Sequence, residues 1–94
     1  MSRSKSATRL ADDLGIPRAR AAEAFLKAKL LDAIVAEVAR SDMTHRDLAT
    51  RSGIPRSAIT GILTGSLQSV SLGRVLRLLD AAGLEADVRV RRAA

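Results

Sequence analysis

From Arg18 to Arg40 apolar residues recur three and four positions apart: Phe25 and Leu26, Leu30 and Leu31, Ile34 and Val35, then Val38. That spacing predicts a long amphipathic helix with a broad apolar stripe. Glu23 and Lys27 form an i,i+4 pair in the favourable order and are expected on its polar face. The break at Gly15-Ile16-Pro17 precedes it, with Pro17 suited to opening a helix. Ser41-Asp42-Met43 is the connector that follows. The stripe is wide enough to face the domain on one side and a partner on the other, although a core helix is the plainer reading.

A different pattern starts at Thr44, an N-cap residue with Asp47 three positions on, which makes a capping box with a shorter acid in place of Glu. Leu48 and Ala49 lie on the inner face of a short helix. Gly53 falls where a helix ends in a left-handed residue, and Ile54 plugs the turn. Pro55 stands beside the first position of a second short helix, on which Ile59, Ile62 and Leu63 share a face. Small Ala49 leaves room for two helices to cross steeply. An ordinary helical hairpin shares this turn, but the coincidence of Leu48, Ala49, Gly53, Ile54 and Ile59 points to a helix-turn-helix over residues 44–65.

Beyond Gly65, residues 66–70 read as a loop, and Ser71 caps a helix from Leu72 to Ala82 with Leu72, Val75, Leu76 and Leu79 on its inner face. Gly83 ends it, with Leu84 as the apolar follower. Residues 86–91 alternate apolar and charged, as a half-buried strand does. Nothing else in the chain pairs with such a strand, so Val88 and Val90 are expected to pair with the same segment of a second subunit, with a frayed tail as the alternative. The fold class is all-α: a compact bundle carrying a repressor-like helix-turn-helix, plus this short strand. Residues 1–17 are expected to form a basic flexible arm and residues 18–94 the domain.

Composition narrows the function. Among 94 residues there is one aromatic, Phe25, so the core rests on Leu, Ile, Val and Ala, which suits packed helices. No cysteine is present, hence no disulfide or thiolate metal site. No apolar run approaches the roughly 20 residues that span a bilayer. The acid-poor opening resembles a transit peptide but passes straight into Asp12 and Asp13. A cytoplasmic, nucleoid-associated protein is expected. The net charge of +6 is uneven: residues 1–20 hold five basic and two acidic groups, whereas residues 21–40 hold three of each. A polyanion is the natural partner of such an excess. The single His45 has no second His, Cys or acid cluster beside it, and there is no Gly-rich phosphate loop or nucleophile–base pair. No catalytic residue, metal site or cofactor is expected.

Leu48-Ala49-X3-Gly53-Ile54-X4-Ile59, followed by Leu63-X-Gly65 and Ser71-Leu72-X2-Val75-Leu76, resembles the XRE family of phage-repressor-like regulators. The flanks, Asp13-Leu14-Gly15-Ile16-Pro17 leading to Lys27 and Leu30, and the stretch from Leu84 to Val90, are similar to small members that include HigA-type antitoxins. The resemblance spans residues 12–91. It implies a homodimer that represses its own operon at an inverted-repeat operator in double-stranded DNA, and a toxin protein as a further partner. A stand-alone phage-type regulator, or an interaction module that has lost DNA binding, are the alternatives.

In helix-turn-helix geometry the second helix enters the major groove. Arg56 is then expected at guanine, with Ser57 and Thr60 as further base-reading residues. Thr44, His45 and Arg46 open the preceding helix, where backbone N–H groups suit a phosphate. Ser69, Ser71 and Arg74 are expected to contact phosphates likewise, and Arg3, Lys5 and Arg9 of the arm to add non-specific attraction. Arg51 and Arg77 read as solvated. Two departures stand out from the family pattern: His45 replaces a common Gln, and Gly61 replaces a base-reading side chain. A glycine there weakens the helix by about 1 kcal/mol relative to Ala. Close approach of the backbone, to DNA or to a packed neighbour, accounts for it.

Overall fold

The computed structural model describes residues 17–65 and 70–93, together with Gly15. These form four helices: α1 (Arg18–Ser41), α2 (His45–Ser52), α3 (Arg56–Leu63) and α4 (Leu72–Ala81). Helix α2 packs on both α3 and α4, and α1 lies along α4. One apolar core joins them. Leu31 and Ile34 come from α1, Leu48 from α2, Ile54 from the turn, Ile59 and Ile62 from α3, and Val75, Leu78 and Leu79 from α4. Ala49 packs against this core from α2, as its small size requires.

Local chemistry sets the helix ends. Pro17 precedes α1, and its carbonyl accepts the Ala21 N–H at 3.0 Å. Helix α1 stops where Asp42 turns left-handed, at φ 56°, and the Met43 N–H reaches the Val38 carbonyl at 3.1 Å. Met43 then packs on the core. Gly83 does the same for α4 at φ 79°, with Leu84 N–H on the Leu79 carbonyl at 3.1 Å. Both ends follow the six-to-one pattern, with an apolar follower that closes the cap.

The packing of α1 and α4 differs from the expected pattern. The apolar stripe of α1 is a narrow seam, because the helix packs principally on α4: Leu26 and Val35 remain 41% and 43% exposed. Lys27 belongs to the seam and not to the polar face, since it is buried beside Leu31 and Ile34. Its ammonium donates to the Val70 carbonyl at 2.7 Å and pairs with Glu23 at 3.1 Å. On α4 the buried residues are Val75, Leu78, Leu79 and Ala81, while Leu76 is turned outward at 44% exposure. Val75 and Leu79 face the core as expected, and the face extends towards Leu78 where Leu76 was expected.

Arg51 and Arg77 are exposed, as expected, and they also tie helix ends together. Arg51 of α2 donates to the Ala81 carbonyl at 3.3 Å, and Arg77 of α4 donates to the Ser52 carbonyl at 2.7 Å. Each guanidinium thus satisfies a C-terminal carbonyl of the other helix, where a cation also complements the helix dipole. Residues 86–91, expected as a strand, have no regular structure in the single chain. Val88 and Val90 are 79% and 91% exposed. A strand needs an edge to pair with, and this all-helical chain offers none among the described residues.

Candidate nucleic-acid interface

The turn between α2 and α3 is built from the residues the sequence singles out. Thr44 caps α2: its hydroxyl oxygen accepts the Asp47 N–H at 3.0 Å, while Asp47 accepts the Thr44 N–H at 2.9 Å. This capping box satisfies two N–H groups reciprocally. The backbone hydrogen bond from Thr44, then the one with its side chain, hold the Asp47 carboxyl below its ordinary value. At the other end Gly53 adopts φ 74°, and a Cβ built there would lie 3.2 Å from Arg77 Nη2. The left-handed backbone favours glycine, and a Cβ would also press on the end of the Arg77 side chain. Ile54 is 1% exposed, and its N–H donates to the Ser52 hydroxyl at 3.1 Å, closing the turn.

Helix α3 buries Ile59 and Ile62 and turns Arg56, Ser57, Thr60 and Thr64 outward. Arg56 and Thr60 are one helical turn apart, with Ser57 beside them. The Arg56 guanidinium has no hydrogen bond or ion pair among the described residues. His45 joins this face to the start of α2, because its Nδ1 lies 2.9 Å from Thr60 Oγ1. The Thr60 hydroxyl also donates to the Arg56 carbonyl at 3.2 Å. A hydroxyl has one proton to give, so the arrangement calls for Nδ1–H as the donor on the imidazole and leaves Nε2 outside this bond. Thr60 therefore has its hydroxyl engaged within the protein, and its methyl is the group left for a partner.

Thr44, His45 and Arg46 thus stand next to the exposed face of α3 with Arg56, Ser57 and Thr60, which brings together six of the nine expected DNA contacts. Asp47 offsets part of the positive end of α2, so an anion there depends on these side chains more than on the helix dipole. Ser71 caps α4 by accepting the Arg74 N–H at 3.1 Å, and both residues are exposed. Ser69, and the arm residues Arg3, Lys5 and Arg9, lie outside the described residues. The His45–Thr60 bond left no signal in the sequence, since the two residues are fifteen positions apart. The sequence reading missed Lys27, although the i,i+4,i+7 spacing of Lys27, Leu31 and Ile34 put it on the apolar face.

Among the described residues no cluster of three or more His, Cys, Asp or Glu is placed to hold a metal, and no helix is long and apolar enough to cross a membrane. A sequence family described as a helix-turn-helix domain matches residues 10–91. No curated protein matches the chain significantly, and no solved structure does so either.

Proposed function

Because the chain belongs to that helix-turn-helix domain family, we propose that it is a sequence-specific, dimeric DNA-binding regulator that seats α3 in the major groove of an inverted-repeat operator. The observation that carries this reading is the outward face of α3, where Arg56 has no side-chain partner among the described residues, and Thr60, one turn away, is joined by His45 to the N-terminus of α2. Arg56 then reads guanine through its O6 and N7 acceptors, Ser57 donates to a base edge, and the Thr60 methyl meets a thymine methyl. Thr44, His45 and Arg46 hold phosphate on one side, and Ser69, Ser71 and Arg74 on the other. Arg3, Lys5 and Arg9 add attraction that carries no sequence information. Residues 86–91 pair with their copy through Val88 and Val90.

The resemblance to XRE regulators and HigA-type antitoxins supports a finer reading, in which this cytoplasmic protein represses its own operon and neutralises a toxin protein. Selection from a random duplex pool tests the DNA-reading step. Wild type is expected to enrich an inverted repeat. Arg56→Ala is expected to lose about 1–3 kcal/mol on that repeat and to relax preference at one base pair per half-site. An unchanged preference would remove Arg56 from the readout.

A further inference from the structure

We propose that Gly61 is a steric gate of the DNA interface: its missing Cβ lets the backbone of α3 close on the wall of the major groove. The inference rests on the DNA-binding reading above and assigns to it a determinant that makes no polar contact. Gly61 lies within α3, five residues after Arg56 and one after Thr60. Its φ is not positive, so no left-handed conformation calls for glycine there. A Cβ built on it meets nothing within 4 Å, so no packed neighbour among the described residues calls for glycine either. A glycine inside a short helix weakens that helix, and nothing among the described residues offsets the loss. Gly53 shows the contrast within the same motif, because it has both a positive φ and a side chain pressed against it.

Nothing among the described residues thus calls for glycine at this position, which directs attention to a surface that α3 meets from outside. The position of Gly61 on the helical wheel is beside Ser57, at the margin of the face that carries Arg56 and Thr60. A major groove about 12 Å wide admits an α-helix about 10–12 Å across, so the fit has little slack. At the margin of the inserted face, one methyl group decides how deeply the helix sits. Depth matters here because Arg56 is the only long side chain on that face; Ser57, Thr60 and Thr64 reach base edges only if the backbone comes close.

The test is Gly61→Ala in the full chain, with thermal melting of the free protein and titration of the selected duplex. The expected result has opposite signs in the two assays. Melting rises by roughly 4–8 °C, as the helix propensity gain predicts, while affinity for the duplex falls tenfold or more. Gly61→Val is expected to weaken binding further than Gly61→Ala. If Gly61→Ala melts lower than wild type, the glycine serves the fold and the proposal fails. If wild type binds the duplex, Arg56→Ala weakens it and Gly61→Ala leaves it unchanged, the gate is wrong while the DNA reading stands. If wild type binds no duplex, both fall together.

Discussion

Lys27→Met tests how the long helix is fastened to the rest of the domain. The lysine is 7% exposed, and its ammonium serves two acceptors, the Val70 carbonyl at 2.7 Å and the Glu23 carboxylate at 3.1 Å. These two contacts differ in worth. Glu23 is 54% exposed, so losing its partner returns it to water at a cost of about 0–1 kcal/mol. The Val70 carbonyl belongs to a residue only 5% exposed. Hydrogen bonds to charged groups contribute about 1.5–3 kcal/mol, and an orphaned buried acceptor keeps its desolvation penalty. Methionine retains a stem of similar length and removes the burial cost of a charge, which offsets part of the loss. The balance is a destabilisation of about 1–2 kcal/mol, or roughly 4–16 °C in melting temperature for a domain of this size. Circular dichroism melts with urea titration measure it directly. Glu23→Gln serves as the comparison and is expected to cost less than half as much. A Lys27→Met variant as stable as wild type, or a Glu23→Gln variant that loses equally, would show that the Val70 bond does not hold α1 in place.

Other expectations follow from single contacts. Asp42 holds a left-handed conformation without being glycine, so Asp42→Gly should raise stability by about 1 kcal/mol in the same melts, and a loss would mean its side chain contributes something the cap geometry does not reveal. The Asp47 carboxyl is held below its ordinary 3.8 by the Thr44 cap, so the charged form favours the fold. Its contribution is present above pH 3.8 and is lost as the pH falls through the lowered value, and Asp47→Asn should flatten this part of the acid limb of a pH–melting profile. Removing residues 86–94 should leave the helical signal intact but shift sedimentation towards the monomer, and an undiminished dimer would exclude pairing through Val88 and Val90.

Much of the fold was legible because its decisive signals are local. Thr44 with Asp47, Gly53 with Ile54, Ser71 before Leu72, and Gly83 with Leu84 each act within a few residues, and the structure realises all four. What escaped depends on where helices cross. Choosing Leu76 over Leu78 for the inner face of α4 followed from the apolar pattern alone, since Leu is apolar at both positions and only the approach of α1 and α2 selects one. Arg51 and Arg77 are surface cations, but their bonds across the domain left no trace in the sequence because the acceptors are backbone carbonyls 30 and 25 residues away. The candidate interface divides in the same way. Arg56 and Ser57 were placed by helical spacing, whereas the engagement of Thr60 by His45 arises only when α2 and α3 are packed together.

The claim at the centre of this account is that the outward face of α3 reads DNA sequence. Fluorescence-anisotropy titration of wild type tests it most directly, using a labelled duplex from immediately upstream of the gene against a scrambled duplex of equal length, over a salt series. The account predicts a preference for the native sequence of about 10³-fold or more. It also predicts a linear fall of log affinity with log salt, whose slope counts the phosphates contacted. Equal and weak binding to both duplexes at every salt concentration would contradict it.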